Sequence, residues 1–224
     1  MLSDILGRGI YSVPEAALYT GLKTATVRRW VFGYRQYDGI IEPDVPQMGR
    51  GKALSFLTLM ELYLMCRFLN SGLRPEKFRV AIGEVAKLHG LSHPFAFEHL
   101  DQYIREDGGD FYYRVGEDIW QKLTGRNKGN STWDLVVQPY LREVEFQDEY
   151  ARRWYPAAAK RLIVLDPAIQ FGEPVIAGTR LLVAILAEQL KAGDSPSLLM
   201  EGYGISSEQL EAAREFESHL DLAA

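Results

Sequence analysis

Hydrophobic positions come in short amphipathic runs separated by glycine, and the first run is sharply bounded. Ser12 with Glu15 three residues later has the capping-box spacing. Pro14 suits a first helical turn, because the amide it lacks would be unpaired there. The pattern predicts a helix through Ala16, Ala17 and Leu18 that Gly21 ends. After a turn of three to four residues, Thr24 is the expected cap of a second helix. Val27, Trp30, Val31 and Tyr34 fall at i, i+3, i+4 and i+7, a single apolar stripe for that helix, with Trp30 as a core anchor. Gly33 to Lys52, rich in Gly, Pro and Asp, reads as a loop or hairpin. Thr58 with Glu61 marks a third helix to Asn70, stopped by Gly72. Its apolar residues run nearly all round, so it is expected to be buried, in its own core or in a subunit interface. A fourth helix spans Pro75 to His89, with Phe78, Ile82, Val85 and Ala86 on one face.

Further along the chain the pattern changes. Phe111 to Val115 has strand character, whereas Trp133 to Leu141 fits a short helix or a strand equally well. Ile163 to Leu165 and Pro174 to Ile176 predict short strands, the second bracketed by Gly172 and Gly178. Three helices follow, at about Val183 to Lys191, Pro196 to Tyr203 and Ser207 to Leu220. Gly193 closes the first, Ser195 with Pro196 opens the second, and Ser206 with Gln209 gives the third a capping box. The expected fold class is mainly α. It comprises an N-terminal (winged) helix-turn-helix in residues 1–55, a helical middle in 56–160, and a homeodomain-like three-helix domain with short β-strands in 161–224.

Charge distribution adds what periodicity cannot. The net charge of −5 argues against a protein that coats nucleic acid non-specifically, but the charge is unevenly spread. Lys23, Arg28, Arg29 and Arg35 fall in a stretch with no acidic residue. Arg28, Arg29 and Arg35 lie off the apolar stripe. Thr24 and Thr26 sit where a second helix would meet phosphates or base edges, and Arg50 and Lys52 follow the glycine-rich loop where a wing would stand. These eight residues are the candidate DNA contacts; the alternative is a solvated charged face on an ordinary helix. The last third is acidic, with Glu208, Glu211 and Glu215 among its carboxylates. Arg180, closing the stretch GEPVIAGTR, is one of its few cations. Arg180 either reaches a partner or makes an ion pair with Asp166 or a nearby acid; the ion pair is the favoured expectation.

Other classes find little support. There is no G-x-S-x-G elbow, Walker loop, H-E-x-x-H or C-x-x-C, so no enzyme is expected. His89 and His93 have a four-residue spacing, but Gly90 and Pro94 break a helix through both, so neither a metal nor a cofactor is expected. The single cysteine, Cys66, fits a reducing compartment. No apolar run has the length of a membrane span, and Met1 to Ile10 lacks the apolar stretch of a signal peptide, so a cytoplasmic location is expected.

Two stretches resemble known families. Tyr11 to Arg35, YSVPEAALYTGLKTATVRRWVFGYR, resembles the helix-turn-helix of MerR-like regulators. Leu165 to Leu210 carries D-P, then G-x-P-V-I-x-G-T-R, a helix, G-x-S-P, a tyrosine and a last helix. It resembles a small bacterial domain common in antitoxins encoded beside PIN-like ribonuclease toxins. HPFA (His93 to Ala96), PYLR (Pro139 to Arg142) and RWYP (Arg153 to Pro156) resemble the middle of longer VapB-type antitoxins. The chain departs from the pattern at Leu182, where a proline is usual, and at Gly204 to Ser206, where P-x-L is usual. The resemblance implies an antitoxin that binds a PIN-like toxin and represses its own operon as a homodimer on operator DNA. Part of the dimer interface would fall on Thr58 to Asn70. Electrostatics would give the toxin contact to the acidic end, through Arg180, Glu208, Glu211 and Glu215. The alternative is a MerR-like regulator that answers a small ligand.

Overall fold

Residues 7–45, 52–70, 75–107, 110–116, 119–123, 136–156 and 160–223 are described by a computed structural model. They are mainly α-helical, with small antiparallel sheets. The chain divides into two compact units, Tyr11–Ala151, and Arg152–Ala224 with the residues before Tyr11.

In the Tyr11–Ala151 unit, β1 (Tyr11–Ser12) leads directly into α1 (Val13–Thr20). The expected capping box is present: the Glu15 amide donates to Ser12 Oγ at 3.3 Å, and the Ser12 amide donates to Glu15 Oε2 at 2.6 Å. Gly21, at φ 72°, ends the helix in the left-handed region that glycine enters without a Cβ penalty. Then α2 (Thr24–Phe32) follows, with Val27, Trp30 and Val31 buried as the stripe requires. Two details differ from expectation. Lys23, not Thr24, is the N-cap, and no side chain caps the helix there. Tyr34 leaves the stripe: Gly33, at φ 75°, turns the chain out of the helix one residue earlier, and Tyr34 is 58% exposed.

β2 (Ala53–Leu54) returns to pair antiparallel with β1, and α3 (Phe56–Asn70) starts immediately after it. This helix begins two residues before the expected Thr58, because Ser55 supplies the cap by accepting from the Thr58 amide at 3.1 Å. Leu59, Leu62, Leu64, Met65 and Phe68 are all buried within the single chain. The expected use of this helix as a dimer seam is therefore corrected: its apolar residues are already covered, leaving little for a second copy to bury. α4 (Pro75–His89) lies as expected, with Ile82 and Val85 buried.

The strand character of Phe111 to Val115 is realised as β4 (Asp110–Gly116). It is the centre of a three-stranded antiparallel sheet with β3 (Ile104–Asp107) and β5 (Ile119–Leu123). The undecided stretch after residue 135 becomes α5 (Gln138–Glu143), with Val136 and Val137 buried ahead of it. β6 (Val144–Gln147) then turns through Asp148 and Glu149, both at positive φ, into β7 (Tyr150–Trp154).

In the other unit, β8 (Ile163–Val164) pairs antiparallel with β9 (Val175–Ile176). The three helices that follow, α6 (Val183–Ala192), α7 (Pro196–Tyr203) and α8 (Ser207–Ala223), match the expected positions. Ser206 and Gln209 make the reciprocal capping bonds, at 3.2 and 2.9 Å. Ile163, Ile176, Val183, Leu186, Leu199, Ile205, Leu210 and Ala213 close one core over the small sheet. The absence of proline at position 182 costs nothing here, because Leu182 still holds the extended conformation a cap needs (φ −66°, ψ 134°).

Candidate functional site

The exposed edge of α2 is built by the same stripe that buries its other side. With Val27, Trp30 and Val31 facing the core, Arg28 and Arg29 are forced outward, and both are exposed. Lys23 and Thr24 are exposed at the start of the helix, and Thr26 is half-buried. No side chain caps this end, where the Thr26 amide donates to the Lys23 carbonyl at 2.8 Å; the Lys23 ammonium and the helix dipole together give a field that favours phosphate. Among the described residues, Arg28 and Arg29 have no ion-pair partner, so both guanidiniums keep all their donors.

The other candidates stand apart from that face. Arg35 is not on α2; it occupies the turn of a tight hairpin in which Tyr34 and Tyr37 exchange backbone hydrogen bonds at 2.9 and 3.1 Å. Arg35 is at φ 55°, and its guanidinium lies 5.1 Å from the Tyr34 ring centroid. Lys52 is exposed, with its ammonium 4.3 Å from the Phe32 ring at the end of α2, so it is tied to the helix by a cation–π contact. Arg50 lies outside the described residues.

In the Arg152–Ala224 unit, Asp166 is buried and takes two cations, Arg153 Nε at 2.7 Å and Arg152 Nη2 at 3.2 Å, as well as the Ala168 amide at 2.8 Å. The expected pairing of Arg180 with Asp166 is therefore corrected: two arginines supplied by β7 occupy that carboxylate. Arg180 is exposed, only its backbone carbonyl is engaged, by Gln170 Nε2 at 3.0 Å, and among the described residues its guanidinium is unpaired. Glu208, Glu211 and Glu215 are exposed and, at i, i+3 and i+7, share one face of α8. Arg214 pairs with Glu211 at 2.7 Å.

Sequence reasoning missed a buried charge cluster in the Tyr11–Ala151 unit. His93 is 3% exposed and sits between two carboxylates, with Nδ1 3.0 Å from Glu61 Oε2 and Nε2 3.2 Å from Asp44 Oδ2. Burial alone would lower the imidazole pKa. The hydrogen bonds to Asp44 and Glu61 and their charges outweigh it and raise the value to about 10, so the ring is a cation that donates from both nitrogens. Burial of the Asp44 carboxyl is likewise outweighed by its hydrogen bonds from His93 and Ser55, which hold its pKa below the ordinary value. Among the described residues no group of His, Cys, Asp and Glu side chains has a metal-binding arrangement. The signal that could have revealed this cluster was Glu61, a lone acid on an otherwise apolar helix. A second unexpected group joins α3 to α5: Tyr63 donates to Glu143, and Arg67 Nη1 lies 3.0 Å from Glu143 Oε1.

Comparison with known proteins first places the C-terminal unit. Residues 163–216 match the model of a family described as a protein of unknown function (DUF433). Over the longer chain, the sequence is 26% identical to the Mycobacterium tuberculosis protein named "Putative antitoxin VapB45", across 91% of this chain and 92% of that one. It is 22% identical to "Uncharacterized protein Rv2308" of the same organism, across 99% of this chain and 95% of that one. The crystal structure of Rv2018 from Mycobacterium tuberculosis has the same fold. It has a TM-score of 0.67 at 21% identity, over 91% of this chain and 96% of that one. No described helix is long and apolar enough to cross a membrane.

Proposed function

We propose that this chain is the antitoxin of a toxin–antitoxin pair and acts by binding rather than by catalysis. The observation that carries the proposal is the near-full-length similarity to a relative whose name calls it an antitoxin, in a chain that also presents a free basic helix edge. In this reading α1 and α2 are a helix-turn-helix. Arg28, Arg29, Lys23, Thr24 and Thr26 meet operator DNA, and Arg35, Lys52 and Arg50 reach flanking phosphates in the manner of a wing. The C-terminal unit, with its homeodomain-like helices, holds a PIN-like ribonuclease toxin through Arg180 and the Glu208, Glu211 and Glu215 ridge of α8. A nuclease that grips RNA offers cationic surface to such a ridge. The chain works in the cytoplasm as a homodimer on paired half-sites, and it represses its own operon.

The test has two arms. Co-expression with the product of the adjacent gene should give a stoichiometric complex and relieve growth arrest. Reversing Glu208, Glu211 and Glu215 together to lysine should break that complex while the fold survives, because all three are exposed. On a fragment of its own promoter, Arg28→Ala should weaken binding and lower the salt slope by about one per lost phosphate contact. If no complex forms and the neighbouring product is harmless, the antitoxin assignment fails. If Arg28→Ala and Arg29→Ala both bind as the parent does, the basic edge is only a solvated surface.

A further inference from the structure

The C-terminal end of α2 opens onto a cleft of about 520 Å³ that no expectation from the sequence included. Its walls come from three places in the Tyr11–Ala151 unit. Arg29 and Trp30 belong to α2, Tyr34, Tyr37 and Asp38 to the hairpin that follows it, and Arg79 to α4. The cleft is held in shape. Arg79 Nη2 donates to the Asp38 carbonyl at 2.7 Å, and the Ile41 amide donates to the Trp30 carbonyl at 3.0 Å, so the hairpin is tied both to α4 and to the end of α2.

Its chemistry is specific. Two tyrosine rings, 58% and 65% exposed, stand at a concave site rather than in the core, where rings of that size ordinarily save the most apolar area. Two exposed guanidiniums share the same space, and Arg29 has no partner among the described residues. Asp38, an exposed acid, lines it as well. A ligand suited to all of these carries an anion for the arginines, a flat ring for the tyrosines, and hydroxyl or amino donors for Asp38. A simple aryl carboxylate would leave Asp38 facing a second anion and would occupy only part of a cleft in the size range of drug-sized ligands. A nucleotide supplies phosphate, base and ribose hydroxyls together, and bases stack well on aromatic side chains.

We propose that the cleft between α2, the Tyr34–Tyr37 hairpin and α4 binds a nucleoside monophosphate, and that occupancy loosens the chain from DNA because Arg29 belongs to both sites. The regulatory half rests on the DNA-binding role of the α2 edge; the binding half does not. A bound phosphate neutralises Arg29 and draws it away from the outer face, so the two ligands compete for one guanidinium.

The full-length chain would be titrated without DNA by saturation-transfer NMR, using AMP and TMP as probes and adenosine and inorganic phosphate as ring-only and charge-only controls. Saturable binding of AMP or TMP, tighter than either control, is expected. Tyr37→Ala and Arg79→Gln should each weaken it by about tenfold or more, and both side chains are exposed enough for the variants to fold. No saturable binding of AMP or TMP, or equal binding by the parent and both variants, overturns the site. Promoter binding by Arg79→Gln and the parent would then be compared with and without the bound nucleotide. Several-fold weakening in the parent alone supports competition for Arg29. Nucleotide binding that leaves promoter affinity unchanged overturns the regulatory half. A parent that binds nucleotide but never DNA leaves the cleft standing and removes the DNA-binding role instead.

Discussion

The buried histidine offers the sharpest stability test. His93→Leu would remove the cation between Asp44 and Glu61 while preserving much of its bulk. A folded-state pKa near 10 against an ordinary 6.5 means that folding favours the protonated ring. The stabilisation is fully present below pH 6.5 and is lost as pH rises through 6.5 towards 10. At about 1.4 kcal/mol per pH unit, the upper bound is about 5 kcal/mol, of which about 3 kcal/mol is gone by pH 9. A second consideration gives a similar figure. Glu61 is 1% exposed, and without His93 its remaining contact of note is the Phe95 amide at 3.4 Å. Breaking a buried ion pair from one side costs about 3–5 kcal/mol. Urea unfolding followed by far-UV circular dichroism at pH 7 and pH 9 would measure both effects. The parent should lose stability between these values; His93→Leu should be weaker at pH 7 and nearly flat above it. Adding Glu61→Leu to His93→Leu should recover part of the loss, because no buried carboxylate is then left unpaired. A His93→Leu variant within about 1 kcal/mol of the parent at pH 7, or a parent no more pH-dependent than the variant, refutes the account.

Two further outcomes follow from packing. Asp166→Ala frees Arg152 and Arg153 and uncaps the Ala168 amide, and should cost the C-terminal unit about 2 kcal/mol in thermal or urea unfolding, reduced from a fully buried pair because both arginines are partly exposed. An unchanged transition would show that those charges stay solvated in solution. Gly39→Ala would place a Cβ against the Val31 carbonyl and 2.8 Å from that of Trp30, so the hairpin must lift from the end of α2. It should weaken both folding and nucleotide capture in the cleft, and a variant that keeps both would show that the hairpin is not seated on α2 in solution.

Local sequence codes determined much of this chain. The boundaries of α1, α4, α6, α7 and α8 were legible because caps, glycine stops and 3.6-residue periodicity act within one turn of backbone. The outward turn of Arg28 and Arg29 followed from the same periodicity, since burying Trp30 fixes where its neighbours point. Composition gave the acidic C-terminal third, and spacing gave the shared face of Glu208, Glu211 and Glu215.

What the sequence left open depended on residues far apart along the chain. Whether α3 faced a partner or its own core was undecided by its all-round apolar surface; packing within the chain covers it. Asp166 had several arginines within reach, and strand β7, not the nearby Arg180, delivered its partners. Asp44, Glu61 and His93 are separated by 17 and 32 positions, so neither charge pattern nor periodicity could join them. Tyr34 looked like the last residue of a buried stripe until Gly33 turned the chain outward and Arg79, from another helix, completed a cleft around it. Caps and stripes are decided by neighbours within a few residues; ion pairs and cavities form only when the fold brings distant side chains together.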